Sequence, residues 1–405
     1  MTAPQSLAAG DPLFAGGVDP AVVLILIIKT VAAFALLMVL VLFYIWFMRK
    51  VIADMQNRVG PARAGGRYGV LQTLADGIKL FFKEQSVPDG ADPFVFRLAP
   101  YLSIIPAFLA FSIIPIGGEV SILGHTTYLQ LADPAIGVLL LLAMSGIGLY
   151  GVMLAGWSSG SKYPLLGSVR ASAQLLSYEA AFGLAIVAVL LHSGTLSTRG
   201  IVDAQAWTSW DSFATSWYWT VAFVSFVIFL IAAIAETNHP PFDLVEAEQE
   251  LVGGFVTEYT GIRFAMFFLA EFMNLITMSA IAVTLFLGGP SGPALGFLSA
   301  TGTVNTWLMP MFWFFTKLLV LLFGTVWVRA SLPRMRYDQL MDLGWKWLIE
   351  IAFVAVMVTA VVLVARNEAW NRFVVVPAAI GGAFCLLGIL RLCMPRQSEL
   401  IEEEV

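Results

Sequence analysis

Between Ala235 and Tyr259 the chain reads AETNHPPFDLVEAEQELVGGFVTEY, which holds six carboxylates (Glu236, Asp243, Glu246, Glu248, Glu250, Glu258) and no Lys or Arg. If the chain is helical after Pro241, Asp243, Glu246 and Glu250 share one face, because steps of three and four residues return to the same side; Glu248 points elsewhere. Like charges this close cannot all ionise, so some of these carboxyls hold their protons toward neutral pH. The chemistry this spacing supports is proton exchange. His239-Pro240-Pro241 must end the preceding helix, since proline lacks a donor and disfavours helix in the residue before it. A solvated acidic loop is the competing reading. Against it stand Phe242, Leu244, Val245, Leu251, Val252, Phe255 and Val256, interleaved with the acids, which point to a segment packed into protein with its acids along an interior path.

Four more ionisable side chains lie inside apolar runs: Lys29, Glu179, Glu271 and Lys317. A charge at the centre of a span costs roughly 2.5–3.5 kcal/mol on insertion scales, so such residues face a bundle interior or a water-filled space. Lys29 is two turns from the end of its run and can extend to the interface as an anchor. Glu179, in QLLSYEAAFG, reads either as a satisfied interior hydrogen-bonding group or as a proton carrier. Glu271, in FFLAEFMN, sits at a similar depth from the same face. Lys317, in WFFTKLLVLL, is near the middle of its run, which calls for a buried partner or an aqueous pocket and reads as functional.

These side chains must be positioned by helices that cross a membrane. The chain is 59% hydrophobic and 12% charged, with a mean hydropathy of +0.85, far from the quarter or so of charged residues in soluble domains. Nine runs are long enough for a hydrocarbon core of roughly 30 Å: about 21–48, 98–117, 135–157, 172–192, 217–237, 262–288, 308–330, 348–365 and 373–393. A re-entrant pair is the alternative for the last two. Basic residues set the orientation. Arg49, Lys50, Arg58, Arg63, Arg67, Lys79, Lys83 and Arg97 lie between the first two spans, and Arg329, Arg334, Arg336 and Lys346 follow the seventh. The N-terminus is therefore expected outside, and the acidic stretch and the C-terminus in the cytoplasm. Within the first cytoplasmic loop, Val70, Leu71, Leu74, Ile78, Phe81 and Phe82 recur at helical spacing, which predicts an amphipathic helix at the membrane surface. The two cysteines, Cys385 and Cys393, form no CxxC pair, which excludes an iron–sulfur or structural zinc site built from this chain alone. GIGLYG at 146–151 lies within a span, where its small residues read as close helix packing. The first twenty residues lack a basic n-region and read as a tail, not a cleaved signal.

AETNHPPFDLVEAEQELVGGFVTEY followed by FFLAEF resembles the hallmark of the H subunit of bacterial NADH–quinone oxidoreductase, respiratory complex I. MQNRVGPARAG with GVLQTLADGIKLFFKE is similar to that family's first cytoplasmic loop, and GWSSGSKYPLLGSVRASAQLLSYE and WVRASLPRMRYDQLMDLGWK resemble two further blocks. Together the four cover about residues 20–365. The resemblance implies an all-α polytopic protein of eight family-like spans plus one extra C-terminal span. It would be a subunit without a redox cofactor of its own in a proton-translocating NADH:quinone reductase. Residues 1–20 would form an outer tail and 21–365 the quinone-tunnel and proton-path domain; within the latter lie the loop 49–97 and the acidic loop 236–262. Residues 366–405 would add the extra span and an acidic tail. Quinone, as substrate, is expected near Arg49, Gln56, Arg58, Asp76, Lys79, Phe267 and Phe268. The proton path is expected along Glu179, Glu236, Asp243, Glu246, Glu248, Glu250, Glu258 and Glu271, with Lys317 as a further member. No metal is expected. The partners implied are peripheral-arm subunits on the cytoplasmic face, small membrane subunits alongside and lipids of the bacterial plasma membrane, with no nucleic acid.

Three departures accompany the resemblance. His239 stands where the family usually has Arg, so a side chain that can be neutral replaces a permanent cation. Met48 stands where Glu is common, and Glu350 where Pro is usual. Ubiquinone and menaquinone are not distinguished, although the added span leans toward menaquinone. Two other functions compete: the homologous subunit of a membrane-bound hydrogenase or formate hydrogenlyase, and a stand-alone proton-coupled transporter.

Overall fold

In hydrocarbon a backbone must satisfy its own hydrogen bonds, and for a chain with these long apolar runs the helix is the solution. The computed structural model describes residues 11–14, 17, 19–122, 124–206, 216–244, 252–293, 307–368, 381–382 and 388. In chain order its helices are α1 (Pro20–Met55), α2 (Gln72–Phe82), α3 (Pro93–Phe111), α4 (Gly137–Ser158), α5 (Lys162–Ser193), α6 (Thr198–Ala204), α7 (Tyr218–Val221), α8 (Phe223–Glu236), α9 (Gly261–Phe286), α10 (Met309–Ser331), α11 (Tyr337–Leu343) and α12 (Ile349–Asn367). A π-helical turn, Gly344–Leu348, joins the last two. Among the described residues seven helical stretches are long and apolar enough to cross a membrane, and α8 is a shorter apolar helix. This is an all-α polytopic membrane protein. Most of the extra C-terminal span expected at 373–393 lies outside the described residues.

Helix ends follow local chemistry. Pro20 and Pro93 open α1 and α3 from positions where no amide donor is required. Asp92 caps α3 by accepting from the amides of Phe94 at 3.0 Å and Val95 at 3.3 Å. Gly194, left-handed at φ 67°, ends α5. Two elements differ from the sequence expectation. The fourth span starts at Lys162, about ten residues early, because the small and polar side chains of KYPLLGSVRASAQ pack against neighbours and not lipid. Glu179 consequently sits mid-helix. The fifth span is broken at Ala222, leaving α8 only 14 residues long.

The core runs through α1, α5, α8, α9 and α10, where Tyr44, Tyr178, Phe182, Phe229, Phe272, Phe286 and Phe314 are buried together. The opposite face of α1 exposes Val31, Phe34 and Val39, as a lipid-facing surface does. On the side where α1 begins, a hairpin absent from the sequence expectation pairs β1 (Glu119–Ile122) with β2 (His125–Tyr128), antiparallel, with Glu119 opposite Tyr128. It clips α1. Lys29 Nζ donates to Asp11 Oδ2 at 2.8 Å and to Thr127 Oγ1 at 2.9 Å. Lys29 therefore holds a largely buried ion pair with Asp11 near the end where α1 begins.

The break after α8 is stitched by one side chain. Buried Gln174 of α5 donates from Nε2 to the carbonyls of Ala235 and Phe242, each at 2.9 Å, on either side of the His239-Pro240-Pro241 turn. Residues 241–244 are turn and bend, so the helix considered after Pro241 does not begin there, and residues 245–251 lie outside the described residues. Replacing Gln174 by Leu leaves the buried Phe242 carbonyl without this donor and takes one donor from Ala235 O, which also accepts from Asn238 N at 3.3 Å; the loss should cost roughly 1–3 kcal/mol. Thermal unfolding in detergent should show a lowered midpoint for this variant and a near-unchanged one for Thr30→Ala, whose hydroxyl is exposed.

Candidate functional site

Three helices each bring one carboxylate to the same interior space. Glu179 comes from the middle of α5, Glu236 from the last residue of α8 and Glu271 from α9. All three line one pocket, which is bounded by α3, α4, the turn at Thr237–Asn238, the short helical turn Gly254–Val256 and α9. Phe264, Phe267 and Phe268 form much of its apolar wall, and Ser103, Ser145, Asn274 and Thr277 supply neutral polar groups.

Each acid is met differently. Ser145 Oγ donates to Glu236 Oε1, while Oε2 of the same carboxyl is buried and has no hydrogen-bond partner among the described residues. Glu179 Oε1 lies beside Gly146 of α4, 3.6 Å from where a Cβ would stand, which is ordinary van der Waals contact. Glu271 Oε1 faces His239 Nδ1 at 3.3 Å.

His239 is 2% exposed. Its Nδ1 is 2.8 Å from the carbonyl of Thr237. A carbonyl oxygen only accepts, so Nδ1 carries the hydrogen and Nε2 is a bare lone pair. That Nε2 is buried without a partner among the described residues. Burial pushes the imidazole down from 6.5 to about 4; the Thr237 carbonyl opposes that fall and the Arg329 guanidinium adds to it. The ring is neutral at ordinary pH, packed edge-on to Phe272 with centroids 5.5 Å apart.

The remaining expected residues fall elsewhere. Asp243 is buried and pairs with Arg334 Nη2 at 2.5 Å, while Met335 N donates to Pro241 O at 3.2 Å. The acidic stretch, which has no cation of its own, thus receives one from the loop after α10. Glu258 is half-buried and outside the cavity lining. Glu246, Glu248 and Glu250 lie outside the described residues. Lys317 sits apart from the acids. Its Nζ donates to the carbonyls of Leu287 at 2.6 Å, Gly289 at 2.9 Å and Ser291 at 2.5 Å, just past the end of α9, and lies 4.2 Å from the centre of the Trp217 ring. All three of its donors are in use.

The residues expected near quinone divide between two places. Phe267 and Phe268 are in the acid-lined cavity. Arg49 and Arg58 line a separate open hollow with Ile52, Val59, Gly60 and Pro61. There Arg49 Nη1 pairs with Asp76 Oδ2 at 2.6 Å, Gln72 Nε2 donates to Asp76 Oδ1 at 3.2 Å and Arg58 Nε donates to Gln56 Oε1 at 2.6 Å. Lys79 is exposed on α2, which also exposes Leu74, Ile78, Phe81 and Phe82. Sequence reasoning missed Ser145, Gln174 and Arg334. A hydroxyl inside the apolar run MSGIG was the available signal for the first, and a surplus of arginine in RASLPRMR for the last.

Apolar spanning helices around a buried space that holds three carboxylates and a wall of phenylalanines define a multi-pass membrane protein built to carry acid groups inside the bundle. The family described as NADH dehydrogenase matches residues 28–360. The NADH-quinone oxidoreductase H subunit of Frankia casuarinae is 52% identical over 366 residues, 90% of this chain and 78% of that protein. The H subunit of Frankia alni is 51% identical over 382 residues, 94% of this chain and 81% of that protein, and that of Cutibacterium acnes 46% identical over 372 residues, 90% and 83% respectively. The chain belongs to the family of NADH-quinone oxidoreductase H subunits.

The His239 environment makes stability depend on pH with a defined sign. Between about 4 and 6.5 the unfolded chain binds a proton at this ring that the native fold refuses, so stability rises with pH across that window and is complete above it. Melting midpoints measured in detergent should fall as pH is lowered from 6.5 toward 4. A His239→Gln variant should flatten that limb of the curve relative to the parent protein.

Proposed function

We propose that this chain is the membrane subunit of a proton-translocating NADH:quinone oxidoreductase, one that houses quinone and carries the first part of the proton path. The observation that carries this reading is the single cavity in which Glu179, Glu236 and Glu271 share walls with Phe264, Phe267 and Phe268. Its phenylalanine wall suits an isoprenoid tail, and its few polar groups suit the orientation of a ligand within it. The Arg49–Asp76 pair, on the loop between the first two spans, offers a polar place for a quinone headgroup on its way in.

Reduction of a quinone to a quinol takes up two electrons and two protons. The electrons come from partner subunits, because nothing in this chain's sequence supplies a carrier. The protons are drawn from groups around the ring, and the acids that replace them change charge. In a space with few polar partners, ionising one carboxyl raises the cost of ionising the next. One redox event therefore shifts proton affinity along Glu271, Glu236 and Glu179. Asp243, clamped by Arg334, acts as a fixed ion pair that holds the acidic stretch against the loop after α10, and Lys317 keeps the end of α9 closed.

In this reading the N-terminus is outside, the acidic stretch faces the cytoplasm, and α2 lies with Phe81 and Phe82 in the surface of the bacterial plasma membrane. Peripheral subunits dock on the cytoplasmic face.

Glu236→Gln and Glu271→Gln, each in assembled enzyme in membrane vesicles, should reduce quinone-linked NADH oxidation and acidification of the vesicle interior by tenfold or more. NADH oxidation with ferricyanide, which bypasses the membrane domain, should persist. The double variant Glu246→Gln/Glu250→Gln should likewise abolish pumping. Full quinone reductase rates and full proton uptake in all three would reject the function.

A further inference from the structure

We propose that His239 is a proton-transferring group for Glu271, passing protons between the imidazole and the carboxylate; this rests on the reading of Glu271 as a proton-path acid. The geometry is that of a relay with both ends defined. At one end Nδ1–H points at the Thr237 carbonyl, 2.8 Å away, and Glu271 Oε1 lies 3.3 Å from the same nitrogen. At the other, Nε2 is a buried acceptor with no partner among the described residues. A ring with only a packing role has no need of a donor toward an acid and an open lone pair on its far side.

A hydronium ion first gives a proton to the Nε2 lone pair and becomes water, and the ring becomes an imidazolium. Nδ1 then releases its proton to Glu271 Oε1, giving a neutral carboxylic acid and a neutral imidazole with its hydrogen on Nε2. To reset, once Glu271 has passed its proton on, Nδ1 takes a proton from a hydronium ion in the pocket that Glu271 lines and Nε2 releases its hydrogen to water; each cycle takes up two protons and delivers one to Glu271 and one to water. The Thr237 carbonyl accepts from Nδ1 whenever that nitrogen carries a hydrogen, and so orients the ring in the starting and imidazolium forms.

The groups around the ring make the transfer conditional. From α9 the ionised Glu271 favours the imidazolium. From α10 Arg329, whose Nη1 rests 3.3 Å from Met48 Sδ, opposes it. From α1 Tyr44 is tied to Thr325 by a 3.0 Å hydrogen bond and stacks at a tilt on Phe272, so it offers the ring no charge. From α5 the neighbouring polar group is the neutral amide of Gln174, 3.4 Å from Asn238. The imidazolium forms only while Glu271 is ionised and is lost once the carboxyl is filled, which limits the relay to one proton at a time. A fixed cation at position 239 would hold Glu271 ionised and could not pass a proton to it.

The test uses assembled enzyme in membrane vesicles. His239→Asn keeps an amide donor for the Thr237 carbonyl and cannot take up a second proton. Its quinone-linked NADH oxidation and proton uptake should fall at least tenfold while ferricyanide reduction is retained. In His239→Ala, added imidazoles should restore turnover, with a rate that rises with the basicity of the substituted imidazole. Wild-type rate and pH profile in His239→Asn, beside an inactive Glu271→Gln, would overturn the relay and leave the proposed function standing. Wild-type behaviour of both variants would overturn the two together. If His239→Asn does not assemble, the imidazole series decides: no rescue, or rescue indifferent to basicity, rejects the relay.

Discussion

A helix that ends inside a packed bundle leaves carbonyls that neither lipid nor bulk water can satisfy, and two such ends stand out among the described residues. At Glu236 the amide of Gln174 reaches across from α5 to the carbonyls of Ala235 and Phe242. Past Phe286 the ammonium of Lys317 takes three carbonyls at once. Everything at the acid-lined cavity depends on the first of these. Were α8 to continue, Glu236 would lie within an unbroken helix, and the turn that carries His239 to Glu271 would not exist. Interior polar residues that look like candidates for chemistry are, in these two cases, what lets the helices stop.

The acids themselves sit among neutral groups. A hydroxyl meets Glu236, a glycine lies beside Glu179 and an imidazole faces Glu271. Among the described residues, none that lines the cavity is Lys or Arg. The cations belong to its surroundings, Arg334 on Asp243 and Arg329 beside Met48. An acid-rich space without an internal counter-cation cannot hold all its carboxyls ionised at once in a medium of low polarity. In the proposed function, that competition for ionisation is what lets a proton move.

Much of this was legible in the sequence, for reasons that can be named. Hydropathy finds spans because each helix must cover roughly 30 Å of hydrocarbon. The stop at His239-Pro240-Pro241 follows from the missing amide of proline. Glu179 and Glu271 stood out because carboxyls in apolar runs are costly, and Glu236 because it opens an acidic stretch without a cation. What remained hidden depends on distant partners. Asp243 and Arg334 are 91 positions apart, and no local pattern pairs them. The early start of α5 was hidden because the stretch before residue 172, with Gly167 and Ser168 in it, reads as loop until neighbouring helices bury those two. Lys317 read as functional because its three carbonyl partners lie in a turn with no hydropathy signature. The separation of Arg49 from Phe267 is likewise a matter of how α1 and α9 pack, which spacing along the chain does not encode.

Small residues on α4 set the mechanics of the cavity. A Cβ at Gly151 would run into Ser103 of α3, and one at Gly156 into Ser168 of α5, so the three helices meet almost backbone to backbone. Surfaces this close interlock and cannot slide or roll without collision. Helices α3, α4 and α5 therefore behave as one stiff plate beneath Glu179. A side chain at either glycine would have to part these helices and, with them, the wall that carries Glu179.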